Sequence, residues 1–200
     1  MTTKQPDFQL NRPGALIAAL PAILGFVPEK SLVLVSVDDG ELGAVLRVDL
    51  AAQLSDTLGQ LAEVAAAAAP AAAIAVIVDA DGARCPVCNE EYRQLCAVLT
   101  EELSRRDITL WAAHVVDRVD RGGHWHCADG CGAGGLVDDP SASPLAAAAV
   151  LEGRRLYRHR ADLQAVIAED PAAGAAVAAA IGEHAAARDV ARRTDPDGRA

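Results

Sequence analysis

Four of the five cysteines in this 200-residue chain stand in two short-spaced pairs, and their types and spacing suit two kinds of chemistry. Cys85-Pro86-Val87-Cys88 is a C-x-x-C pair; Cys127-Ala128-Asp129-Gly130-Cys131 is a C-x-x-x-C pair about 40 residues later. Two such pairs suit a four-thiolate Zn²⁺ site, because each tight loop presents two sulfurs to one tetrahedral ion. The candidate metal ligands are therefore Cys85, Cys88, Cys127 and Cys131, with His124 or His126 able to replace one sulfur. Zinc is the one cofactor these residues imply. The CPVC run also follows an apolar strand and opens a helix. A helix N-terminus lowers a thiol pKa and makes the thiolate a nucleophile, which suits a thiol–disulfide oxidoreductase. The cis-proline strand that flanks such thiols in thioredoxin-like proteins has no counterpart, since Pro140 and Pro144 lie in a different setting. A third reading leaves the pairs unliganded. Cys96 sits on an apolar helical stripe and reads as a small core residue.

Charged residues at strand ends form the second set of candidates. Asp79 and Asp81 follow an apolar strand, and Arg47 and Asp49 lie near the end of the strand before it. Ligands of open α/β sheets bind beyond the carboxyl ends of the strands, so these four residues are candidate ligand-binding positions. Carboxylates there could hold a metal or accept protons. Each also fits a plainer role, such as Asp49 capping the helix that starts near Ala52. His114 reads as a core histidine, and Arg154, Arg155, Arg158 and Arg160 as a solvated basic face. No residue is marked as catalytic. Phosphate-binding G-x-x-x-x-G-K-[ST], dinucleotide-binding G-x-G-x-x-G after a strand, and G-x-S-x-G are all missing.

Composition narrows the classes further. Lys and Arg number 18 against 28 Asp and Glu, a formal net charge of −10, which argues against a nucleic-acid partner. No apolar run reaches the ~20 residues that span a bilayer. The longest, Gly14 to Val27, is interrupted by Pro21, and Pro28-Glu29-Lys30 replaces the small-residue cleavage site of a signal peptide. The expected protein is cytoplasmic, binds no membrane or nucleic acid, and has a protein or small-molecule partner of unknown identity. Alanine makes up about a fifth of the chain and arginine supplies 16 of the 18 basic residues, a bias that GC-rich codons produce.

The elements that must position these residues follow from periodicity. Asn11 and Pro13 open a helix whose apolar residues run Leu16, Ile17, Leu20, Ile23 and Leu24, with Pro21 ending or kinking it and Gly25 as a stop. Ser31–Val37 is a strand, Asp38-Asp39-Gly40 a hairpin turn, and Leu42–Leu50 the returning strand. On that strand Val45, Arg47 and Asp49 share one face; Leu46, Val48 and Leu50 share the other. A helix over about 52–69, an apolar strand over 73–78, a loop over 79–89, a helix over about 89–106 and a strand over 109–116 come next. A second hairpin at Arg121-Gly122-Gly123 leads to a short strand, His124–Cys127, and a Gly/Asp-rich loop to Pro140. Helical stretches at about 143–152, 160–169 and 171–188 close the chain. This order predicts an α/β fold. A mixed sheet carries helices on both faces, a hairpin is followed by two strand–helix–strand crossovers, and helices finish the chain. The crossovers make the second, third and fourth strands parallel. If the second hairpin is tight, Cys127 lies near the opposite sheet end from Cys85. The expected organisation is a flexible N-terminus over 1–10, a single α/β domain over 11–188 and a disordered tail over 189–200.

Several of these segments together resemble a known family. Pro21, Leu24, Gly25, Phe26 and Pro28 leading into Ser31-Leu32-Val33 resemble the opening of the actinobacterial family called domain of unknown function 4192. Arg47-Val48-Asp49-Leu50 matches its arginine–aspartate strand, and Trp125 with Cys127 and Cys131 its tryptophan–cysteine region. Ala147, Gly153, Arg160 and Leu163 match its later small-residue helix, glycine and arginine–x–x–leucine ending. The resemblance covers most of residues 10–170. It implies a cytosolic α/β protein of no established activity and supplies no catalytic residues. The CPVC pair lies outside the pattern, and the chain is short for the family, which implies a missing C-terminal part. Because Arg47 and Asp49 belong to a motif, an ion pair or ligand site there gains weight. Three functions remain in competition: a non-enzymatic binding or regulatory module with Cys-ligated zinc, a thiol oxidoreductase using the CPVC pair, and a small-ligand enzyme using strand-end carboxylates.

Overall fold

A computed structural model describes residues 12–51, 54–168 and 170–194. The expected N-cap at Asn11 and the N-terminal segment lie outside the described residues. Helix α1 (Pro13–Leu24) starts with Pro13 in its first turn and ends at Gly25, whose φ of 82° lets its amide reach the Pro21 carbonyl. Pro21 does not end this helix. It lacks one amide near the C-terminal end, and its ring is buried on the core face, which offsets the lost bond.

Strands β1 (Ser31–Asp38) and β2 (Glu41–Asp49) form a hairpin across Asp39 and Gly40, both at positive φ as a type I′ turn requires. Then follow α2 (Leu54–Ala66), β3 (Ala72–Val78), α3 (Pro86–Ser104), β4 (Thr109–Val116), β5 (His124–Cys127) and β6 (Gly134–Leu136). A 3-10 turn at Pro140–Ala142 precedes α4 (Pro144–Leu151), α5 (Arg160–Ile167) and α6 (Pro171–Thr194). Helix α3 begins at Pro86, three residues before the predicted start, so Cys88 lies inside its first turn.

The six strands form one mixed sheet in the order β2-β1-β3-β4-β5-β6. Strands β3 and β4 pair in parallel, while β1 runs antiparallel to both β2 and β3. Thus β2, β3 and β4 point the same way, as the crossovers require, but β1 is inserted between β2 and β3. Strand β6 falls in a segment predicted as loop. Its Gly-Gly-Leu sequence carries no strand signal, and the pairing exists because Gly134 lets the backbones approach: a Cβ there would stand 2.8 Å from the Trp125 carbonyl oxygen.

Alternation splits the sheet into two apolar faces. Leu32, Leu34, Ala73, Ala75 and Ile77 pack with Leu58 and Leu61 of α2 and Leu99 and Leu103 of α3. Val33, Val35, Ile74, Val76 and Val78 pack with Leu16, Ile17 and Leu20 of α1, and α4 packs against α1 in turn. Strand β3 is buried at every position, which explains its continuous apolar run. Gly14 marks the tightest approach of α1 to the sheet: its carbonyl accepts the Asp138 amide at 3.3 Å, and a Cβ would drive into the Leu136 carbonyl oxygen. Helix propensity alone favours Ala over Gly by about 1 kcal/mol. Because a backbone oxygen cannot rotate away, Gly14→Ala is instead expected to destabilise by about 1–3 kcal/mol in urea unfolding. A stabilised variant would show that α1 does not lie on β6.

The chain divides into two compact units, residues 1–163 and 164–200. The first holds the sheet, α1–α4 and the start of α5. In the second, Asp170 organises the start of α6: its Oδ1 accepts the Ala172 and Ala173 amides at 2.9 and 3.1 Å. Helix α6 runs to Thr194, past the predicted domain end at 188, and residues 195–200 lie outside the described residues. One stretch departs from the expectation that nothing is long and apolar enough to cross a membrane. Arg160–Ala185 spans 26 residues and reaches a mean hydropathy of 1.3. Its apolarity comes largely from dispersed alanines and is interrupted by Pro171, so it forms no continuous Leu/Ile/Val run in the sequence.

Candidate functional site

The carboxyl ends of β3 and β4 carry matching sequences, Ile77-Val78-Asp79 and Val115-Val116-Asp117, and each aspartate closes its strand inside the protein. The Asp79 amide donates to the Val116 carbonyl, 3.0 Å. Its buried carboxylate accepts the Tyr92 hydroxyl at 2.5 Å and the Asp81 amide at 3.1 Å. Burial pushes the Asp79 pKa up. The Tyr92 hydrogen bond, the Gly82 and Asp81 amides and Lys30 outweigh that effect, leaving the carboxyl below its usual range. Gly82 fits the joint because a Cβ there would collide with the Tyr92 hydroxyl. Asp79 thereby fixes loop 79–85 onto the start of α3. Asp117 accepts the His124 amide at 2.8 Å and the Arg84 guanidinium at 3.2 Å, tying the same loop to β5.

The predicted ligand residues divide between two clusters. Arg47 and Asp49 pair at 2.6 Å; Asp49 also meets Arg160 at 3.3 Å, and Arg47 donates to the Glu29 carbonyl at 3.2 Å. The helix Asp49 was expected to cap is described only from Leu54, and its carboxylate is engaged by these arginines. Asp79 and exposed Asp81 share Lys30, at 4.0 and 3.9 Å. Arg47, Asp49, Asp79 and Asp81 all lie at one sheet end, where Ser31 pairs with both Asp49 and Val78. None of the four lines the groove described next.

That groove, of about 340 Å³, lies between Ala83, Arg84 and Asn89 on one side and His126, Cys127 and the loop from Gly130 to Gly134 on the other. Cys127 reaches it because β5 is only four residues long and pairs Cys127 with His114, two residues from the end of β4. Cys127 is therefore near the carboxyl end of the sheet, not the opposite end as a tight hairpin predicts. The imidazole of His126 spans the groove floor, its ring nitrogens 3.1 Å from the Ala83 and Cys127 carbonyl oxygens.

Each cysteine pair closes on itself. In the second pair, Asp129 turns the loop by accepting the Cys131 amide at 2.9 Å, with Gly130 and Gly132 at positive φ on either side of Cys131. One ligand atom each of Cys127, Asp129 and Cys131 lies within 4.8 Å of the others, a group that could hold a metal ion. Cys85 and Cys88 are not in that group. Behind it, buried His114 places Nδ1 3.9 Å from Cys127 Sγ and stacks edge-on against Trp125. Burial lowers the His114 pKa and favours neutral imidazole, the form that ligates metals. Burial, then the Cys131 thiol and Asp129, push the Cys127 thiol up to about 11. The sequence does not reveal the His114 contact, because a lone strand histidine reads as core, nor does it single out Asp129, whose signal is its place in the middle of the C-x-x-x-C pair.

Cys85 is the N-cap of α3. Its Sγ accepts the Cys88 amide at 3.3 Å. The neighbouring Cys88 thiol and this amide bond lower the Cys85 pKa; the Cys85 thiol, then burial and the negative charges nearby, raise that of Cys88. Cys96 is buried on α3, its thiol pushed up to about 11 by burial, as a core residue should be.

No curated protein and no solved structure matches this chain. A family model described as a domain of unknown function, DUF4192, matches residues 13–200. That match runs from the first turn of α1 through the sheet, both thiol pairs and the C-terminal helices, and the chain belongs to the DUF4192 family.

Proposed function

We propose that this chain is a binding module whose loop 127–134 is ordered by a metal ion, with zinc the ion its donors suit. One observation carries the reading: two cysteine sulfurs and a carboxylate oxygen gathered within 4.8 Å on one tight loop. In a tetrahedral site with Zn–S bonds of 2.3 Å, neighbouring sulfurs stand about 3.7 Å apart, so a small contraction of the loop closes the shell. Two thiolates favour zinc over hard cations such as magnesium or calcium. His114 lies outside that group, but its Nδ1 is 3.9 Å from Cys127 Sγ and its ring is held by Trp125, so a small approach would make it the fourth donor. Unlike the four-cysteine site that the spacing suggests, this one draws on Cys127, Asp129 and Cys131 and leaves the CPVC pair free. A cytoplasmic setting suits the reading, since all five cysteines are unpaired.

Metal analysis of protein purified without a histidine tag is expected to find one equivalent of zinc. Cobalt exchanged into the site should give an intense thiolate-to-cobalt band. Both should vanish in Cys127→Ser and Cys131→Ser and survive in Cys85→Ser. Wild-type protein that retains no zinc and shows no such band overturns the proposal.

A further inference from the structure

We propose that Cys85 and Cys88 form a thiol–disulfide exchange pair, with Cys85 as the attacking thiolate and Cys88 as the resolving thiol. This function is separate from the metal reading above and does not rest on it.

The assignment comes from how the first turn of α3 is built. Pro86 occupies its start without contributing an amide, and the Cys88 amide points back at the Cys85 sulfur, 3.3 Å away. Cys85 is half-buried in the extended conformation of an N-cap residue, φ −91° and ψ 117°, so its sulfur lies over the positive end of a 19-residue helix. The helix turn then brings Cys88 beneath it, packed against the core beside Tyr92. A second thiol three residues on, on the residue whose amide donates to the first sulfur, is positioned to attack it. The Cys85 thiol, burial and nearby negative charge help Cys88 keep its proton, while the Cys88 thiol and amide lower the Cys85 pKa, so the two thiols differ in role. Asp79 also holds the loop that delivers Cys85, through Tyr92 and the Asp81 amide. The adjoining groove is bounded on the α3 side by Arg84, the residue next to Cys85, and by Asn89, and is walled opposite by His126, Cys127 and the small residues of loop 130–134.

The substrate class is a disulfide, R–S–S–R′, which is itself the oxidant. Cys85 thiolate attacks one sulfur, forming Cys85–S–S–R and releasing R′–S⁻, which takes a proton from solvent. Cys88 then loses its proton to solvent and attacks Cys85 Sγ, forming the Cys85–Cys88 disulfide and releasing R–S⁻. The substrate gains two electrons, and the pair loses two. An external dithiol reverses the sequence and restores the thiols.

Iodoacetamide alkylation of the full chain at pH 6.5, read by peptide mass spectrometry, is expected to label Cys85 about tenfold faster than Cys88. With hydroxyethyl disulfide in excess, wild-type protein should accumulate the Cys85–Cys88 disulfide. Cys88→Ser should instead stop at a stable mixed disulfide on Cys85, and Cys85→Ser should form neither. Repeating the reaction with a disulfide-bridged peptide separates the sources: faster exchange with the peptide assigns a peptide substrate, faster exchange with the small reagent a low-molecular-weight one. Equal labelling of the two thiols, or no internal disulfide in wild-type protein, overturns the proposal. So does protection of Cys85 by added zinc, because that would make it a metal ligand.

Discussion

Asp79→Ala is expected to lower the unfolding free energy at pH 7 by about 2–4 kcal/mol, measured by urea titration. The carboxylate accepts the buried Tyr92 hydroxyl and the Asp81 amide, and the Gly82 amide also contributes. Alanine leaves the Tyr92 hydroxyl unpaired in a buried position, while the cost of burying the carboxylate is recovered; the net is the loss of about two charge-assisted hydrogen bonds. The sign of its pH dependence follows from the lowered pKa. Its stabilising contribution is complete above the unfolded-state value near 3.8 and disappears as pH falls through the lower folded-state value. The gap between wild type and Asp79→Ala should therefore shrink towards pH 2. A variant within about 0.5 kcal/mol of wild type at pH 7 would remove Asp79 as the anchor of loop 79–85.

The second large effect lies one layer deeper. Leu99 is fully buried on the face of α3 that packs with α2 and the sheet, while its neighbour Val98 is 40% exposed. Leu99→Ala removes apolar surface and leaves a cavity in a close-packed layer, at an expected cost of about 2–5 kcal/mol. Val98→Ala should change stability by less than about 0.5 kcal/mol. Equal losses at the two positions, measured by the same titration, would contradict the orientation of α3.

Much of the frame was legible from local pattern. The β1–β2 hairpin follows from a β-branched run, an Asp-Asp-Gly turn and alternation on the returning strand, because turn geometry and side-chain period are set within a few residues. The family's opening motif, from Pro21 to Val33, lies on α1 and β1, the elements that build the core face opposite α2 and α3. Local signals failed where pairing partners lie far apart in sequence. Nothing within Gly134–Leu136 announces a strand, since its register is imposed by Trp125 and by α1 at Gly14. The insertion of β1 between β2 and β3 was equally invisible, because crossover handedness and strand direction are compatible with more than one strand order.

The candidate site divides along the same line. Sequence alone determined the chemical potential of two thiol pairs, the place of CPVC between a strand and a helix and the membership of Arg47 and Asp49 in one strand face, because each depends on local spacing. Tertiary structure decided which groups meet. The shortness of β5 carries Cys127 to the carboxyl end of the sheet, beside His114, while the Asp129 turn folds Cys131 back towards it. Burial and hydrogen bonding then separate the thiols: Cys85 is moved down, Cys88 and Cys127 up. Distances, desolvation and local fields arise only when distant segments pack, so they distinguish five chemically identical side chains that sequence spacing could only count.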